Sequence, residues 1–172
     1  MLTEPFRGTL AVARGLVTPA QLRGPRFRRL LPDIHVRSEV PVDLALRSGA
    51  AHLFVAGRGV LGGFSAAEVL GASCGPVDAP AEVVMLDGHR QRPVAGLTVR
   101  RSALWPDEIA EHLGMVVTTP GRTAFDLACG PDLTEAVVAV DALTRVHESR
   151  PTTCAGSATD TSAPAVARSS GM

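Results

Sequence analysis

Lysine is missing from this chain: all 17 cationic side chains are arginines. With abundant Ala, Gly and Pro, that bias reads as the imprint of a GC-rich genome rather than selection for guanidinium chemistry, so arginine alone does not signal phosphate binding. Tyrosine is also absent and aromatics reach only 3 %, which leaves a core of Leu, Val and Ala. Formal net charge is zero, so no whole-chain field draws it to DNA or a membrane, and any nucleic-acid surface must be a local patch. The cysteines, Cys74, Cys129 and Cys154, are odd in number and lack CxxC spacing. Neither a disulfide framework nor a zinc site is suggested, and a reducing cytoplasm is the expected compartment. No run approaches the roughly 20 apolar residues that span a bilayer, since Arg58 interrupts the most apolar region. Glu4 and Arg7 precede any apolar stretch, unlike a signal peptide.

What is present suits an α+β chain of 172 residues, 45 % of them hydrophobic: an N-terminal winged helix-turn-helix followed by a small mixed α/β domain and a disordered C-terminal tail. Residues 1–40 read as three short helices and a strand. Thr9 to Arg14 is the first helix, ended by Gly15. Thr18-Pro19-Ala20-Gln21 starts the second, with Thr18 as cap, Pro19 at the first helical position and Gln21 completing a capping box. Gly24-Pro25 opens a third, Arg26 to Leu31, whose Phe27, Leu30 and Leu31 fall at i, i+3 and i+4. Pro32-Asp33 then turns into a strand at Ile34-His35-Val36.

Residues 41–146 form the second unit. A helix is expected over 41–56, and GRGVLGG is a turn into a strand, since it lacks the GK[ST] ending of a phosphate loop. Ser65 and Glu68 form a second capping-box pattern opening a helix to about Leu70. Strands are expected at Ala81 to Leu86, followed by an Asp87-Gly88 turn, at Gly96 to Arg101, and at Met115 to Thr118. Helices follow from Pro120 and from Asp132 to about Arg145, the latter with Asp132 and Glu135 in capping-box register. Residues 147–172, mostly Ser, Thr, Ala, Pro and Gly, lack apolar periodicity and read as a disordered tail.

The strongest functional signal is the N-terminal unit, where seven arginines face Glu4, Asp33 and Glu39. A helix trio followed by a strand matches a winged helix-turn-helix whose last helix enters the major groove of double-stranded DNA. Gln21, Arg23, Arg26, Arg28 and Arg29 are the candidate DNA contacts. The plainer alternative is a small helical subdomain with a solvated arginine face. In VTTPGRTAFDLA (117–128), Thr119 and Pro120 start a helix, and Arg122 and Asp126 at i and i+4 form a structural ion pair. The rival role there is an anion receptor at the helix N-terminus.

No catalytic residue, metal ligand or cofactor is assigned, and no enzyme is expected. Asp126 and Asp141 could pair for metal chemistry, but Arg145 is the nearer partner of Asp141 in the sequence, and nuclease sites usually place a lysine beside their carboxylates. The histidines His35, His52, His89, His112 and His147 show no ligand spacing. Cys74, between Ser73 and Gly75, has no histidine nearby in sequence to activate it.

GLVTPAQLRG, RFRRLLPDIHV, GGFSAAEVLGA, VTTPGRTAFDLA and EAVVAVDALTR together resemble the N-terminal region of actinobacterial proteins related to AbiEi-type antitoxins of abortive-infection systems. The resemblance spans about Pro5 to Arg145. It implies that Val17 to Leu31 is the helix-turn-helix part of a winged-helix unit, and that Ser65 to Gly71 and Thr118 to Asp126 belong to the scaffold of the following α/β domain. Longer relatives continue into a domain similar to very-short-patch-repair endonucleases, where this sequence has its tail. The expectation is a DNA-binding transcriptional regulator of antitoxin type that can also neutralise a toxin partner. The alternative is a protein-interaction module, or the truncated remnant of a longer protein, drawn from the apolar helix Asp132 to Arg145.

Overall fold

The computed structural model of the chain describes residues 3–86, 89, 91–130 and 133–148. Those residues form a mixed α+β structure with two sheets and six α-helices. The tail from residue 149, the Asp87-Gly88 turn, Asp132 of the expected capping box, and Cys154 lie outside the described residues.

The N-terminal unit runs β1 (Phe6–Arg7), α1 (Gly8–Ala13), α2 (Pro19–Arg23), β2 (Phe27–Leu31) and β3 (Ile34–Arg37). Its antiparallel sheet has the order β1-β3-β2. Gly15, with φ +68°, ends α1 in a Schellman pattern: Leu16 N–H donates to Ala11 O and Gly15 N–H to Val12 O, both at 2.9 Å. At α2, Gln21 N–H donates to Thr18 Oγ1 at 3.2 Å and Thr18 N–H to Gln21 Oε1 at 2.8 Å. The capping box expected at this position is therefore complete in both directions.

The expected third helix is not there: Phe27 to Leu31 is a strand, hairpinned to β3. The i, i+3, i+4 spacing of Phe27, Leu30 and Leu31 fits one helix face, but a bulged strand satisfies it equally. The register skips Leu30 between the pairs Arg29↔His35 and Leu31↔Ile34, so Phe27 and Leu31 are buried while Leu30 takes up the extra residue. The turn Pro32-Asp33 closes the hairpin, with Asp33 left-handed at φ 63°. Asp33 also holds the start of α1, accepting from Thr9 N–H at 2.8 Å and from Thr9 Oγ1 at 2.7 Å.

The second sheet has the order β6-β5-β4-β8-β7, built from β4 (Gly59–Leu61), β5 (Ala81–Met85), β6 (Leu97–Arg101), β7 (Ile109–His112) and β8 (Met115–Thr118). Strands β5 and β6 pair in parallel, so their connection is a crossover and not a hairpin. Strand β7, which no sequence pattern marks, forms an antiparallel hairpin with β8 and follows a 3-10 turn at Pro106–Glu108.

Helix α3 (Leu44–Val55) is capped by Asp43, which accepts from Leu46 N–H at 2.8 Å. Helix α4 (Gly63–Val69) starts three residues earlier than the Ser65 cap implies. Its cap is Gly62, and Ser65 lies inside the helix, fully buried, where its Oγ accepts from Glu82 N–H at 2.8 Å. The expected Ser65 capping box is thus a helix-to-sheet tie. Helices α3 and α4 lie against the second sheet, whereas α5 (Pro120–Ala128) and α6 (Leu133–Glu148) pack on each other and on α4. One aliphatic cluster joins Ala50, Val55, Leu61, Val83, Val117 and Leu143, and it also takes in Leu31 and Ile34 from the N-terminal hairpin. A smaller cluster of Ala11, Val17 and Phe27 sits under α1 and α2, with the Phe6 and Phe27 rings edge to face at 5.6 Å. No helix among the described residues is long and apolar enough to cross a membrane.

Candidate nucleic-acid interface

Around α2 and the β2–β3 hairpin the arginines divide into two groups. Three are held by the fold. Arg7 donates to Leu53 O on α3, Arg28 to the carbonyls of Ser38 and Val40, and Arg37 pairs with Glu39 at 3.0 Å. Arg28, one of the sequence candidates, thus anchors the segment leaving the hairpin, although it remains exposed.

Arg14, Arg23, Arg26 and Arg29 are exposed, and none of their guanidinium groups makes an ion pair or hydrogen bond among the described residues. Arg23 ends α2, Arg26 lies in the connection to β2, and Arg29 stands on β2 opposite His35. Gln21 is exposed on α2, but its Oε1 is committed to the capping box, leaving the amide Nε2 to donate outward. Uncompensated guanidinium groups on and beside a short helix and a hairpin can bind phosphate oxygens and reach base edges.

The junction between β8 and α5 is a different kind of site. Thr119 is the N-cap of α5 with Pro120 next, but the Thr119 side chain makes no cap bond. Instead the buried Thr118 and Thr123 hydroxyls meet at 2.7 Å, stitching β8 to the first turn of α5. Arg122 Nε donates to Asp126 Oδ1 at 2.9 Å, and its Nη1 donates to Glu108 Oε2 at 2.8 Å and to Ala103 O at 3.1 Å. Nη2 donates to Ser102 Oγ at 2.6 Å. The Arg122 side chain is 8 % exposed. Four of the five guanidinium N–H groups are used by acceptors of the fold itself, two of them carboxylates. Sequence spacing pointed to Asp126; Glu108 and Ser102 are long-range partners that only the fold supplies.

Glu82 is the one polar residue of β5, whose five positions are all buried, and no motif singles it out. Its side chain is 8 % exposed, with Arg100 Nε 3.2 Å from Oε2, near enough to pair the charges but misaligned for a hydrogen bond. Burial pushes the Glu82 carboxyl above its ordinary range, Arg100 opposes this, and the nearby Asp126 charge adds to the rise. A Cβ at Gly63 would run into this carboxylate at 1.8 Å, which explains a glycine there.

Asp141 pairs with Arg145 at 2.7 Å on the exposed face of α6, whereas Asp126 is spent on Arg122. The described residues contain no group of three or more His, Cys, Asp or Glu side chains able to hold a metal. Half burial pushes the Cys74 thiol up, away from the thiolate a nucleophile needs. The chain matches no family model, and no curated protein matches it.

Proposed function

We propose that the chain is a DNA-binding regulator of antitoxin type, with the N-terminal unit acting as a winged helix. In this reading α1 and α2 are the helix-turn-helix, α2 is the helix that approaches the major groove, and the β2–β3 hairpin is the wing. The observation that carries it is the set of exposed, uncompensated arginines, Arg23 on α2, Arg26 in the connection to β2 and Arg29 on the hairpin, in a chain with no net charge. The sequence resemblance to AbiEi-type antitoxins supports the same reading.

Phosphate contacts from these arginines supply affinity that falls steeply with salt. Gln21 and Arg23, on α2 itself, are the side chains able to read base edges. The test is a mobility shift of the chain's own upstream DNA at low and moderate salt, with Arg23, Arg26 and Arg29 changed to Ala together. Loss of the complex supports the proposal, and unchanged binding refutes it.

A second reading, a protein-interaction module that neutralises a toxin, is favoured by Leu133, Val137 and Val138, exposed on α6. Its test is co-purification with the product of the neighbouring gene.

A further inference from the structure

An open cavity of about 410 Å³ lies where the segment before β1, helix α3 and the β7–β8 turn meet. Ala45, Gly49, His52 and Leu53, at i, i+4, i+7 and i+8, line it from one face of α3. Three features here have no explanation in the packing of the fold. Gly49 is inside a helix, where glycine is destabilising relative to alanine. Yet a Cβ on it would meet nothing closer than Pro5 Cγ at 3.8 Å, an ordinary contact, so the missing methyl serves only to leave space in the cavity. His52 Nδ1 is buried and makes no hydrogen bond among the described residues, a deficit that a bound polar group would remove. Leu113 borders the same cavity at φ 51°, in a two-residue hairpin turn where asparagine, aspartate or glycine is usual, and it is 78 % exposed.

We infer that this cavity binds a small organic cation, an aryl- or alkylamine whose apolar part fills the space over Gly49 beside Leu113. Its ammonium group donates to His52 Nδ1 and pairs with Glu4. The volume falls within the roughly 300–1,000 Å³ of small-molecule pockets, which are mostly apolar with a few polar groups to fix orientation. The charges select the sign of the ligand. Glu4 lines the cavity and Glu111 on β7 is close enough to act on His52, against the one guanidinium of Arg7, which is turned to Leu53 O. Burial holds the His52 imidazole below its ordinary range, with Glu111 opposing, so at neutral pH the ring is uncharged and one nitrogen accepts. Two carboxylates and an imidazole acceptor suit an ammonium group and repel a carboxylate. This site does not depend on the DNA-binding reading.

Calorimetric titration of the full chain at neutral pH with phenethylammonium, phenethyl alcohol and hydrocinnamate tests it. The three share a phenyl ring on a two-carbon arm and differ in the polar group. The ammonium is expected to bind, and the carboxylate to bind roughly tenfold or more weakly by comparison, with the alcohol between them. Gly49→Leu, which fills the cavity, is expected to weaken phenethylammonium by about tenfold or more with an unchanged circular-dichroism spectrum. Glu4→Gln, at an exposed position, weakens it severalfold and narrows the preference for ammonium over alcohol, and it decides the matter should Gly49→Leu fail to fold. No binding of phenethylammonium up to its solubility overturns the inference. So does binding that Glu4→Gln or a folded Gly49→Leu leaves intact, which puts the ligand elsewhere, or equal affinity for the ammonium and the carboxylate, which removes selection by charge.

Discussion

Arg122 Nη1 donates to Glu108 Oε2 at 2.8 Å, joining α5 to the turn that leads into β7. Because Nε of the same guanidinium holds Asp126, removing Arg122 strands two carboxylates, one of them 11 % exposed. Breaking a buried pair from one side typically costs about 3–5 kcal/mol. Arg122→Ala is therefore expected to lower the thermal midpoint sharply, while the protein that remains folded at low temperature binds DNA as before. Arg122→Lys is expected to rescue little, since an ammonium cannot serve four acceptors in one plane. Lost DNA binding in a fully stable Arg122→Ala protein would refute the structural role.

Glu82 makes stability depend on pH in the opposite sense to most carboxylates. Its folded-state proton affinity is raised by burial, so the folded chain binds more protons than the unfolded one and stability falls as pH rises from the ordinary glutamate range through the folded value. Glu82→Gln is expected to remove that decline. It should leave stability at neutral pH equal or higher, because Arg100, 38 % exposed, can turn to water. Denaturant titrations from acid to neutral pH check this.

Asp33 works the other way. Burial alone would raise its carboxyl, but the two Thr9 hydrogen bonds, aided by Arg7 and His35, outweigh it and hold the group below the ordinary aspartate range. Its contribution is complete above the unfolded value and disappears as pH falls through the folded one. Asp33→Ala also loses a residue that tolerates the left-handed turn, for a combined cost of about 1–2 kcal/mol. Equilibrium unfolding at neutral pH measures it.

The box at α2 gives a smaller effect. Thr18→Ala is expected to cost about 1 kcal/mol of stability and, by loosening a five-residue helix, to weaken DNA binding without changing its salt dependence, since no phosphate contact is removed. A steeper or shallower salt slope would place Thr18 in the interface itself.

Local signals carried much of the fold. Thr18, Pro19 and Gln21 specify the start of α2 because capping is settled within four residues, and the same holds for Pro120 after β8. Phe27 to Leu31 misled because its apolar spacing serves a helix or a bulged strand, and the choice is made by pairing with β3 across Pro32-Asp33. Ser65 misled because a hydroxyl that can cap a helix can equally accept from Glu82 N–H on β5. The partners of Arg122 divide along the same line: Asp126 is one turn away in sequence, whereas Glu108 and Ser102 come from the far side of the β7–β8 hairpin. Among the basic residues, composition marked the region, but only the backbone arrangement separates Arg28, tied to two carbonyls, from the unpaired Arg23, Arg26 and Arg29.

The most direct test of DNA binding is the salt dependence of affinity for the upstream DNA, measured for the native chain and for Arg23→Ala/Arg26→Ala/Arg29→Ala. The expected result is a linear fall of log affinity with log salt, whose slope shrinks by roughly 0.9 for each phosphate that is no longer neutralised, up to about 3 in the triple variant. Binding too weak to detect at low salt, or the same slope and affinity in both proteins, would contradict it.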